Sequence, residues 1–132
     1  MLMPATPRLL VLEGPHVSSA AAREAASGFV AGVCPWADVE AVVLVVAELV
    51  ANASRHTEGP WRLSLWAYHG ELRVGVEDTS SAPPVPRAPD LAGGGGFGWH
   101  LVQKLAGGVS VLPLPEGKRV EARWQRGGSE VA

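Results

Sequence analysis

Apolar residues recur along the chain with two periods, and each period predicts an element. Residues 8–12 form a short apolar run ended by Gly14-Pro15, which predicts a strand. Ser18 or Ser19 can cap the alanine-rich stretch that follows, a predicted helix running toward Val30 and stopped by Gly32. Beyond Pro35, Asp38 is the next N-cap. From there Val39, Val42, Val43, Val46, Leu49, Val50 and Ala53 repeat at three and four residues, the stripe of a helix. Ala41, Leu44, Val45 and Ala47 cover much of the other side, so this helix is expected to be buried on most faces. Valine is a mediocre helix former. A strand over 42–46 is the rival reading, and length and cap favour the helix.

Period two begins at Trp61. Trp61, Leu63, Leu65 and Ala67 alternate with Arg62, Ser64, Trp66 and Tyr68, His69-Gly70 makes a turn, and Leu72, Val74 and Val76 alternate with Arg73, Gly75 and Glu77. This is a β-hairpin with one buried face. Residues 97–106 then read as a helix ended by Gly107-Gly108. Residues 109–112 and 119–124 read as a second hairpin around Pro115-Glu116-Gly117, with Val120, Ala122 and Trp124 facing one way and Arg119, Glu121 and Arg123 the other. The order β, α, α, β, β, loop, α, β, β predicts a two-layer α/β (α+β) sandwich. Its mostly antiparallel, mixed sheet is covered on one face by helices. Residues 1–132 are expected to form a single domain, with 127–132 a flexible tail.

Composition narrows the function. With 47% hydrophobic and 18% charged residues, the 132-residue chain can bury a core of its own. Eleven Lys and Arg against thirteen Asp and Glu leave a net charge of −2, so no basic face argues for nucleic acid. The single cysteine, Cys34, excludes an internal disulfide and any multi-thiolate metal site. No signal peptide is visible. The longest apolar run, 41–47, falls far short of the roughly 18 residues of a membrane span. A soluble, cytoplasmic protein with no membrane contact is the expectation. Glycine and proline are concentrated at 82–98, which cannot be a helix or a central strand. A long loop inside a compact domain is the first functional suspect.

Three places could carry chemistry. Glu48 and Asn52 interrupt the most apolar helix and, four residues apart, point to one side. A carboxamide oxygen can ligate Mg²⁺ and a carboxylate one turn away can accept a proton. A solvated polar pair on a helix edge is the bland alternative. Asp78 ends the second hairpin strand just before the loop, where a carboxylate can read a ligand or simply start a turn. The glycines from Gly93 to Gly98 open a helix, whose N-terminal amides suit a phosphate; a flexible linker is the alternative. No strand leads straight into them and no Lys-Ser or Lys-Thr follows, which excludes a dinucleotide fingerprint and a Walker A loop. His16, His56 and His100 are too scattered to argue a metal site. The tryptophans are mostly core candidates, with Trp36 and Trp66 as possible exposed exceptions.

Together, Glu48-Leu49-Val50-Ala51-Asn52-Ala53-Ser54-Arg55-His56, Asp78 and Gly96-Phe97-Gly98-Trp99-His100-Leu101-Val102 resemble, in order and spacing, the N, G1 and G2 boxes of the histidine-kinase-like (GHKL, Bergerat-fold) ATPases. Gly117-Lys118-Arg119-Val120 lies where that family has a Gly-Thr-type strand start. The compact size resembles the anti-sigma-factor serine/threonine kinases and related small regulatory ATP-binding proteins. The resemblance implies ATP and Mg²⁺ as ligands, with residues 79–98 as the ATP lid. It implies that Asn52 holds Mg²⁺, that Glu48 is the general base toward a serine or threonine hydroxyl, and that Asp78 accepts from the adenine amino group. Gly94, Gly96 and Gly98 would let the lid backbone wrap the phosphates. The implied partners are a sigma factor or a STAS-type antagonist protein, and the implied assembly is a homodimer.

Two departures from the pattern bear on the base end. Asp78-Thr79-Ser80-Ser81-Ala82 carries none of the glycines of the usual Asp-x-Gly-x-Gly box, and Arg119 is the residue expected to replace the threonine behind the aspartate. They leave two readings, a kinase of an antagonist protein and a binding module of the same fold that sequesters its partner without catalysis.

Overall fold

The computed structural model describes residues 6–56, 59–80 and 98–127. The first strand, β1 (Arg8–Gly14), is followed by helices α1 (Ser19–Val33) and α2 (Val39–His56), as the capping residues predict. Ser18 is the N-cap of α1, its hydroxyl accepting the amide of Ala21 at 3.0 Å. Gly32 does not end α1, which runs one residue further, to a C-cap at Cys34. The Asp38 carboxylate accepts the Ala41 amide at 3.2 Å at the start of α2.

Strands β2 (Trp61–Tyr68) and β3 (Glu71–Asp78) form the first hairpin, helix α3 (Gly98–Leu105) follows, and β4 (Gly108–Leu114) and β5 (Gly117–Gln125) form the second. The five strands lie in the order β1-β2-β3-β5-β4. Every pairing is antiparallel, so the sheet is not mixed in direction. The physical reason is the connectivity: each hairpin reverses the chain, β1 lands antiparallel on β2, and the segment carrying α3 delivers β4 to the far edge of β5.

The helices cover one face. Leu63, Leu65 and Ala67 of β2, Leu72, Val74 and Val76 of β3 and Val120, Ala122 and Trp124 of β5 meet Val42, Val45, Val46, Leu49, Val50 and Ala53 of α2, with Ala22, Ala26 and Val30 of α1 and Val102 of α3 completing the core. Each large aliphatic side chain so buried contributes roughly 1.5–3 kcal/mol. Helix α2 is less enclosed than its composition suggests, since Leu44 is 48% exposed. Three and four residues from one another, Val42, Val45, Val46 and Leu49 face the sheet, whereas Leu44 opens onto the groove between α1 and α2.

The other sheet face carries a polar network. Arg119 donates to Glu121 at 3.1 Å and to Glu77 and Ser64 at 3.3 Å, and the Arg73 guanidinium lies 4.9 Å from the centre of the Trp66 ring. Trp61 and Trp124 are core residues; Trp36, Trp66 and Trp99 are half-buried. Among the described residues no helix is long and apolar enough to cross a membrane. Most of the expected lid (81–97) and most of the expected tail (128–132) lie outside the described residues.

Candidate functional site

Two ends of a site can be built from the described residues. At the first, α2 presents Glu48 and Asn52 one turn apart, both half-buried, beside the core residues Leu49 and Val50. Helix α3 begins against Glu48. A Cβ placed on Gly98 would overlap the Glu48 carboxylate, so the N-terminus of α3 and this carboxylate are in direct apposition. A helix N-terminus favours a negative charge beside it. Glu48 and Asn52 each have further polar interactions. A carboxamide oxygen and a carboxylate on one helix face, with the amide end of a second helix alongside, form a donor set that suits a hard divalent cation and the phosphates it bridges. Gly94 and Gly96 lie outside the described residues, so of the three expected lid glycines only Gly98 is seen at the site.

The second end is Asp78, the last residue of β3. It continues the inward-facing series Leu72, Val74 and Val76 and is only 7% exposed. Directly across the ladder stands Lys118 of β5, 3% exposed, continuing the inward series Val120, Ala122 and Trp124. The Lys118 ammonium donates to both carboxylate oxygens of Asp78, at 3.1 and 3.0 Å, and to the Ser80 carbonyl at 3.3 Å. The Ser80 amide donates to Oδ1 of Asp78 at 2.9 Å, closing an Asx turn. Gly117 permits this approach, because a Cβ there would overlap the Asp78 carbonyl oxygen.

This corrects one expectation. Arg119 does not stand behind Asp78. Side chains alternate along a strand, so Arg119 falls on the opposite sheet face with Glu77 and Glu121, and Lys118 is the residue that meets the aspartate. At the first end, the Asn52 carboxamide and the Glu48 carboxylate have the chemistry to hold a divalent cation. At the second end, the carboxylate that the resemblance assigns to a base amino group is paired with an ammonium of the protein itself. Sequence reasoning missed Lys118, although the alternation Val120, Ala122, Trp124 extended back by two residues sets it inward.

His100 is exposed on α3. Among the described residues no group of three or more His, Cys, Asp and Glu gathers to hold a metal. Burial pushes the Cys34 thiol pKa up.

Comparison with known proteins gives two findings. The sequence profile of the histidine kinase-like ATPase domain matches residues 15–124. The crystal structure of the RsbU and RsbW domains of Rv1364c from Mycobacterium tuberculosis superposes with a TM-score of 0.62 at 17% identity, covering 92% of this chain. This chain spans 32% of the length of that one, and at such identity the likeness is one of fold. No curated protein matches the chain.

Proposed function

The chain belongs to the histidine kinase-like ATPase family, and from that premise we propose that it is an ATP-binding regulatory protein that phosphorylates a serine or threonine of an antagonist protein in a partner-switching pathway. The observation that carries this reading is the apposition of Glu48, one turn from Asn52, with the start of α3 at Gly98. The Asn52 carboxamide oxygen is assigned to Mg²⁺, and Glu48 to accepting the proton of the attacking hydroxyl. When bound, Mg-ATP supplies the phosphoryl group. The protein's own part is to hold the cation from α2, to keep a carboxylate beside the incoming hydroxyl, and to offer the amides that open α3 to negative charge. A fold shared with a structure of RsbU and RsbW domains supports a partner-switching role, and a sigma factor or a STAS-type antagonist is the assigned partner. A homodimer in the cytoplasm is the assembly assigned with it.

A second reading is favoured by Lys118. With Asp78 engaged by the protein's own ammonium, the same fold can act as a binding module that sequesters a sigma factor or an antagonist without nucleotide. Calorimetric titration with Mg-ATP, repeated with EDTA, separates the two, followed by transfer of labelled phosphate to candidate antagonists. Binding abolished by EDTA, with transfer, supports the kinase. Partner binding with no heat from Mg-ATP and no transfer leaves the module.

A further inference from the structure

We propose that Lys118 makes the nucleotide site blind to the base: the protein's own ammonium takes the place of a ligand donor on Asp78, and magnesium nucleoside triphosphates are held by their phosphate end whatever base they carry. The inference rests on the nucleotide-binding reading above and deepens it by naming the ligand class.

The ammonium is saturated. A lysine has three N–H donors, and those of Lys118 reach Asp78 Oδ1, Asp78 Oδ2 and the Ser80 carbonyl. Three of the carboxylate's roughly four acceptor positions are filled as well, since Oδ1 also accepts the Ser80 amide. The two side chains are 4% and 3% exposed, so little of either is presented to a ligand. Their positions are set by the backbone, because Asp78 and Lys118 are paired residues of the β3–β5 ladder and Gly117 lets the two strands close up.

An amino group of a base would therefore have to enter a buried pair and share or displace a cation that is already in place. The bonds from Lys118 are charged at both ends, whereas those an amino group offers to the same carboxylate are charged at one end only. Displacement would also strand a buried ammonium, the costly way to break a buried pair. Glu48, Asn52 and Gly98 lie on α2 and α3, which share no residue with this network, so the phosphate end keeps its donors while the base end loses its reader.

The test needs only the full chain as it exists. Calorimetry in excess Mg²⁺ with ATP, GTP and CTP in turn is expected to give dissociation constants that agree within about threefold, less than one hydrogen bond is commonly worth. ATP bound about tenfold or more tightly than GTP and CTP overturns base-blindness alone and leaves nucleotide binding standing. Binding of none of the three overturns the nucleotide site and this inference with it. Lys118→Thr, checked for folding by circular dichroism, frees the carboxylate and is expected to gain about tenfold preference for ATP. A folded Lys118→Thr protein with the same base series as the parent overturns the role given to Lys118. Should that variant not fold, the parent series decides.

Discussion

Gly98 and Glu48 meet without room for one more carbon: the space a Cβ would take on the first residue of α3 is filled by the carboxylate of α2. An otherwise ordinary glycine thereby becomes the surface on which the start of one helix rests against the acid of another.

Gly98→Ala tests that apposition. In an open helix the exchange gains up to about 1 kcal/mol. Here the new methyl displaces the Glu48 carboxylate, the far end of a flexible side chain, so the gain is expected to be offset and the melting temperature to stay at or below that of the parent, by about 3 °C for each 1 kcal/mol lost in a chain of this size. A raised melting temperature would show that the carboxylate moves freely.

Glu48→Gln keeps the shape of the side chain and removes the base. Phosphoryl transfer to the antagonist is expected to fall by about 10²–10⁴-fold, with ATP affinity held within a few-fold. Single-turnover transfer of labelled phosphate measures the first and calorimetry the second. Equal transfer by parent and variant removes Glu48 from the chemistry.

Asn52→Ala removes the carboxamide assigned to Mg²⁺. Loss of one such donor commonly costs a few kcal/mol, so Mg-dependent ATP binding is expected to weaken by about a hundredfold or more while the circular dichroism spectrum stays that of the parent. Undiminished binding in Mg²⁺ would refute the assignment.

Cys34 is 1% exposed, and burial pushes its thiol pKa up. The folded state favours the neutral thiol. The stability this contributes is full below the unfolded thiol pKa of about 8.5 and is lost as pH rises from there toward the folded value. Alkylation by iodoacetamide at pH 8 is expected to be negligible until denaturant is added. The melting temperature is expected to fall more between pH 8 and 10 in the parent than in Cys34→Ala. Rapid labelling of the native protein would overturn this.

The architecture was legible because the two periods are strong and a capping residue stands before each of the first two helices. Ser18, Asp38 and the alternation from Trp61 onward each match an element of the structure within a few residues. The α2 face followed from the sequence in part: Val42, Val46, Leu49, Val50 and Ala53 are buried as the stripe predicts, but so is Val45, and Val39 and Val43 line the groove beside α1 with Leu44. At the site, Glu48, Asn52 and Asp78 could be singled out as polar residues interrupting apolar runs or ending them. Local pattern does not say which residue stands opposite which. The pairing of Asp78 with Lys118 depends on the register between strands forty residues apart; alternation along β5 sets Lys118 inward, but only the register places it opposite Asp78. The apposition of Gly98 with Glu48 likewise depends on how two helices dock.

The strand order leaves β1 and β4 at the two ends of the sheet, and only β4 contains a proline. Strand β4 carries Pro113, which has no amide hydrogen to offer, so its outer rim is a poor template for a further strand. Strand β1 has no such interruption, and Leu9 and Val11 are exposed along it. Rim-to-rim growth through β1 of both copies would bring only proline-bearing rims to the outside. Such addition would close at a pair instead of extending into a fibre, and a single proline at one border would then serve as a stop signal for polymerisation.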